Sequence, residues 1–283
     1  MKRTGYLLAA CVALAVVIAS PAGAGDGRTC PGATPTPIGV VLNPRVFNDC
    51  PFSTLTSSNH YPFLVEFHDQ NLSCAGFANL HTWSFTTDGV HPAEFENCSH
   101  YRFRAEMVLS GSGEGEGGLR ISPWWSPNAD GLFNVRTTDG EVAVFGGRLP
   151  FFTFSNPATP PPFGGGFSLR YVKGTPITLD MTYDPRALDA TFPATVRYQV
   201  FYQGQLYDSG KIPFDMGNPA EDPPHGLYGA LYPHYVGGHV KAFAPGVGEL
   251  KDFKATWSNI CYQGPSATPA KLTSWSKLKA MYR

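Results

Sequence analysis

Three stretches of the chain alternate apolar and polar residues with a period of two. Tyr101, Phe103, Ala105 and Met107 are separated by Arg102, Arg104 and Glu106. Ile177, Leu179, Met181 and Tyr183 are separated by Thr178, Asp180 and Thr182, and Val196, Tyr198, Val200 and Tyr202 by Arg197, Gln199 and Phe201. Successive side chains of a strand point to opposite faces, so each stretch predicts a strand with one core face and one more polar face. Gln203-Gly204, followed by Gln205-Leu206-Tyr207, predicts a tight hairpin. Further strands are expected over residues 78–86, 119–122, 132–137, 141–146, 236–243 and 253–262. Long helical periodicity is absent between residues 30 and 265, and the 26 prolines and 31 glycines are spread along the chain, as short strands joined by turns require. Residues 156–166, with Pro160-Pro161-Pro162 and Gly164-Gly165-Gly166, predict a loop that cannot join a ladder. The expectation is an all-β fold.

The first residues change the picture of where the chain works. Lys2 and Arg3, the uncharged apolar stretch from Tyr6 to Ala19, and Pro21-Ala22-Gly23-Ala24 have the order of a secretory signal peptide, with cleavage expected after Ala24. The chain then divides into a signal peptide (1–24), an N-terminal arm (25–60), a β-sandwich domain (61–264) and a linker with a basic tail (265–283). A secreted, extracellular or periplasmic location follows, and no later stretch is long and apolar enough to span a bilayer. The leader takes two of the 21 basic residues and none of the 22 acidic ones. The remainder is slightly acidic and lacks a basic block to track phosphates, which speaks against nucleic acid. Of six cysteines, Cys30, Cys50, Cys74, Cys98 and Cys261 lie beyond the leader. Local pairing predicts Cys30–Cys50 and Cys74–Cys98, with Cys261 left as a buried thiol. No C-x-x-C or clustered Cys/His spacing suggests zinc.

The series Gly174-Thr175-Pro176, residues 177–183, residues 196–202, Gln203-Gly204 and residues 205–209 resembles the middle of concanavalin-like and laminin-G-like sandwiches. That resemblance implies a two-sheet antiparallel jelly roll and no particular site. Residues 116–125, 141–150 and 171–174 are also similar to a group of secreted bacterial proteins built on this sandwich. The tail Thr273-Ser274-Trp275-Ser276-Lys277-Leu278-Lys279-Ala280-Met281-Tyr282-Arg283 is similar to short W-x-x-(I/L)-K-x-x-Y-R tails of some exported bacterial proteins. The likeness implies a sorting or partner-docking role, set against the plainer reading of a frayed end.

Candidate chemistry is diffuse. Glu114 and Glu116, two apart, share a side of an extended strand and are of the right type for glycoside hydrolysis. Glucanases of the resembled fold use E-x-D-x-x-E, whereas here the third acid position is Leu119, and the surrounding glycines predict a solvated hairpin tip instead. Glu116, Gly118, Arg120 and Ser122 share one parity. If their strand joins those carrying Arg104, Glu106, Asp180 and Gln199, one continuous polar sheet surface results. Trp124 and Trp125 follow directly, with indole faces suited to stacking on sugar rings, while Trp83 and Trp257 sit in strand patterns and read as core. The polysaccharide lyases of this fold imply Arg, Gln, His and Tyr on a concave face, for which Arg102, Arg104, Gln199, Tyr198 and His81 are of suitable type. No cofactor is expected. Calcium at a sheet edge is in keeping with the resemblance, although Asn128-Ala129-Asp130-Gly131 begins a calcium loop without its remaining ligands. His225, His234 and His239 have irregular gaps and read as loop or edge residues. The leading expectation is a non-catalytic module that binds glycan or another extended polar ligand through Arg104, Glu106, Arg120, Trp124, Trp125, Asp180 and Gln199. The alternatives are a carbohydrate-active enzyme and a structural surface-display protein.

Overall fold

The computed structural model describes residues 36–121, 131–146, 149–214, 227–231 and 233–264. Fourteen strands account for almost all regular structure: β1 Gly39–Asn48, β2 Thr54–His60, β3 Leu64–Cys74, β4 Ala78–Thr86, β5 Tyr101–Ser110, β6 Gly115–Ile121, β7 Leu132–Arg136, β8 Val142–Phe145, β9 Phe152–Thr153, β10 Ile177–Asp184, β11 Thr195–Tyr202, β12 Gln205–Pro213, β13 Val236–Phe243 and β14 Gly246–Gln263. They form two seven-stranded antiparallel sheets. Sheet A runs β1-β4-β13-β6-β7-β8-β9, and sheet B runs β12-β11-β10-β5-β14-β3-β2. The expected jelly-roll sandwich is the fold observed. No helix among the described residues is long and apolar enough to cross a membrane.

The core lies between the sheets, where the period-two apolar residues meet. Phe103, Met107, Leu179, Tyr198 and Trp257 of sheet B face Trp83, Phe85, Leu119, Phe133 and Val240 of sheet A, all fully buried. Trp83 and Trp257 pack edge to face with centroids 6.0 Å apart, so both are core residues, as expected. The hairpin at Gln203-Gly204 joins β11 to β12 with positive φ at both residues, 49° and 80°, the signature of a type I′ turn.

Three expectations are corrected. Residues 39–60, read as part of an arm, are β1 and β2, the outer strands of sheets A and B. Pro44 and a register break between Asn43 and Phe47 interrupt the alternation of β1, and β2 is an edge strand with little apolar character. Cys50 pairs with Cys74 rather than Cys30 (Cα–Cα 5.4 Å). The chain crosses from sheet A to sheet B after β1, which brings Cys50 to the far end of β3. Cys98 is also disulfide-bonded, and Cys261 keeps its thiol and is half-buried. Finally, Glu116 is not at a hairpin tip but inside β6, and it is 4% exposed. The glycines there allow close approach: a Cβ on Gly115 would fall 2.5 Å from the Phe253 ring, and one on Gly117 3.1 Å from Leu109.

Candidate functional site

The structure divides the sequence-predicted site between the two sides of the sandwich. Arg104, Asp180 and Gln199 are direct cross-strand neighbours on β5, β10 and β11, and Glu106 lies one step along the same face. This outer face of sheet B is largely occupied with itself. Arg102 binds Asp180 through two nitrogens at 2.6–2.9 Å. Arg197 pairs with Asp208, which also accepts from the Gln199 amide at 2.9 Å, and Ser258 donates to Glu106 at 3.3 Å. Arg120 does not join them, because β6 belongs to sheet A. Parity along a strand says which residues share a face, not which sheet the strand enters. Trp124, Trp125, His225, most of the calcium-like run and the basic tail lie outside the described residues.

The outer face of sheet A is of a different kind. Its central strands β4, β6 and β13 are buried on both sides, yet they carry Thr82, Ser84, Glu116, Arg120, His239 and Lys241 on this face. Register sets these residues in rows. Thr82, His239, Gly118 and Asn134 are successive neighbours across β4, β13, β6 and β7. One step along, Ser84, Gly237 and Arg120 align, and one step the other way Lys241, Glu116 and Arg136. Glycine stands where the rows come closest: a Cβ on Gly118 would lie 1.9 Å from the Phe133 carbonyl oxygen, and one on Gly237 2.0 Å from that of Trp83.

Hydrogen bonds fix the protonation of this floor. Glu116 forms an ion pair with Lys241 and accepts from Asn134 Nδ2 at 3.0 Å. The Asn134 amide donates to the carboxylate, so its Oδ1 faces His239 Nε2 at 3.0 Å and takes that nitrogen's hydrogen. Burial, followed by the nearby charges of Lys241 and Arg120, holds His239 well below the usual imidazole range. The ring is therefore neutral. Arg120 donates to Ser84 Oγ at 2.6 Å and to the Gly238 carbonyl at 3.3 Å. Burial draws its pKa down to about 10, opposed by Tyr235, which still leaves it charged at neutral pH.

Beside Arg120 a cleft of about 330 Å³ opens. Its polar lining is Asn43, Thr82, Ser84, Arg120 and Tyr235, and its apolar walls include Val46 of β1 and Val90 of the loop after β4. Of the sequence-predicted site residues within the described structure, only Arg120 lines it.

No protein-family model and no curated protein matches the sequence. Solved structures do. A seed lectin of Lotus tetragonolobus is similar over 83% of this chain and 97% of its own, at 7% identity and a TM-score of 0.38. A family 7 alginate lyase, A1-II′, is similar over 71% of this chain and 78% of its own, at 8% identity and a TM-score of 0.39. A functionally unknown protein of Saccharomyces cerevisiae is similar over 77% of this chain and its full length, at 13% identity and a TM-score of 0.38.

The carboxylates suggested for hydrolysis are tied up separately. Glu114 pairs with Lys173 at 2.6 Å and also contacts Thr137, whereas Glu116 is held by Lys241 and Asn134. No cluster of three His, Cys, Asp or Glu that could hold a metal occurs among the described residues. His234, in the loop before β13 as expected, is a buried partner of the Tyr101 hydroxyl at 2.7 Å, whereas His239 lies in a central strand and is not the loop or edge residue expected. Thr82, Ser84, Asn134, Tyr235 and Lys241 were not singled out from sequence. A signal existed: Thr82, Ser84 and Thr86 alternate with Trp83 and Phe85 in the same way as the stretches that were.

Proposed function

We propose that the protein is an extracellular, non-catalytic recognition module that binds a hydroxyl-rich glycan in the cleft over sheet A. The observation that carries this reading is the cleft lining. Hydroxyl, amide and guanidinium groups converge on one side, where they can donate to and accept from sugar hydroxyls, and Val46, Val90 and the Tyr235 ring offer apolar surface to sugar C–H faces. The engagement of Glu114 and Glu116 in separate ion pairs supports binding over hydrolysis, which needs two carboxyl groups flanking one bond. Trp124 and Trp125 follow the strand of Arg120 in sequence and are proposed to stack on the ligand.

A glycan array probed with the full exported chain tests the reading. Discrete hits are expected, weakened about tenfold or more by Tyr235→Ala and Asn43→Ala and unchanged by Arg104→Ala and Gln199→Ala. The opposite pattern of losses would move the site to sheet B, and an array without hits would remove the proposal.

A further inference from the structure

On the core side of sheet A, behind the cleft, lies a polar cluster that the recognition site does not use. His81 of β4 is 1% exposed and stacks on Phe67 with centroids 5.3 Å apart. Its Nε2 is 2.6 Å from Asp69 Oδ2, and its Nδ1 accepts the backbone N–H of Arg45 at 2.9 Å. A backbone amide only donates, so Nδ1 is the bare nitrogen and Nε2 carries the hydrogen given to the carboxylate. Asp69 also accepts from Ser53 Oγ at 3.0 Å and Asn79 Nδ2 at 3.3 Å. The Arg45 guanidinium stands 3.8 Å from Asp69 and donates to the carbonyls of Cys50 and Ser53. The charged or titratable groups facing His81 are thus Asp69 from β3 and Arg45 from β1. Its neighbour on β13 is Val240, and Trp257 of β14 packs behind Phe67.

Arg45 occupies the break in register of β1 with φ 53°, a left-handed conformation that a non-glycine residue keeps only when its surroundings fix it. Asn43 and Val46, within two residues of it, form part of the cleft wall. We infer that His81, Asp69 and the Arg45 amide form an acid-sensitive latch on the cleft. A proton from solvent added at Nδ1 takes away the acceptor of the Arg45 N–H and sets two donors face to face. The Nε2–H to Asp69 contact becomes an ion pair and keeps the ring in place, so the β1 bulge is the part that yields. The wall at Asn43 and Val46 then shifts, and ligand binding weakens as the pH falls. The regulatory part rests on the cleft being the recognition site.

Nuclear magnetic resonance of the full chain, taken from neutral to acid pH, tests the latch. Three results are expected. The His81 ring starts with hydrogen on Nε2, the Arg45 amide signal moves with the same midpoint as the ring, and hydrogen-exchange protection of the Arg45 amide falls roughly five- to tenfold as its hydrogen bond is lost. His81→Gln offers a donor and an acceptor that do not titrate, so its bulge should ignore pH. An Arg45 amide that stays still while His81 titrates, a His81 that does not titrate, or the same loss of protection in His81→Gln would each overturn the latch. Should the variant fail to fold, the shared midpoint in the wild-type chain decides. A titrating latch with no glycan bound at either pH sinks the recognition reading alone, and a titrating latch with pH-independent glycan affinity sinks the regulatory claim alone.

Discussion

Asp69 is a carboxylate cut off from water. Burial alone would raise its pKa, but the hydrogen bond and charge of His81, with the hydrogen bonds of Ser53 and Asn79, outweigh that and hold it below the usual carboxylate range. A folded-state pKa below the unfolded one adds stability that is complete above the unfolded value and is lost as the pH drops through the folded one. Asp69→Asn is therefore expected to flatten the acid limb of a plot of unfolding free energy against pH. Asp69→Ala strands three buried donors and should cost about 3–5 kcal/mol by urea denaturation at neutral pH. Arg197, in a half-exposed pair with Asp208, should cost no more than about 1 kcal/mol when replaced by alanine. These two cases also mark what is readable at this scale. The polar parity of Arg104, Glu106, Asp180 and Gln199 shows directly in the alternation of their strands. Asp69 and His81 occupy inward positions beside Phe67 and Trp83, where a charge looks like a fault in the pattern. Only Ser53 from the turn before β2, Asn79 of β4 and the Arg45 amide of β1 make them satisfied.

Turns and tight crossings decide the elements. Gly204 has φ 80° with nothing within 4 Å of a Cβ built on it. Gly204→Ala should therefore cost only its backbone conformation, about 1–2 kcal/mol, as a modest fall in thermal midpoint. Gly118→Ala meets the Phe133 carbonyl in the middle of sheet A, and a far larger fall or failure to fold is expected in the same measurement. The strand over residues 236–243 comes out as the alternation predicts, with Val236, Val240 and Ala242 on its core face, whereas the strand over residues 78–86 sets Asn79 and His81 beside Trp83 and Phe85 on that face. β2 was hidden: Thr54–His60 has only Leu55 as an aliphatic side chain, since an edge strand buries little. The glycines of β6 misled for a related reason. A glycine that makes room for Phe253 and one that makes a turn look the same in a sequence.

At the scale of the molecule, the Cys50–Cys74 bond ties the end of β1 in one sheet to the end of β3 in the other. Closing a loop of 24 residues removes roughly 3 kcal/mol of unfolded-chain freedom. The double replacement Cys50→Ala with Cys74→Ala should lower the unfolding free energy by about that amount in a denaturant titration. What the sequence leaves open at this scale is sheet membership, and that ambiguity separated Arg120 from Arg104. It is resolved late in the chain. β13 sits in the middle of sheet A between β4 and β6, and β14 in the middle of sheet B between β5 and β3. Until residues 236–263 emerge from the ribosome, each half of the sandwich is in two disconnected pieces, and no oily interior can be sealed. A chain cut short before residue 236 is expected to leave both sheets split and to stay unfolded.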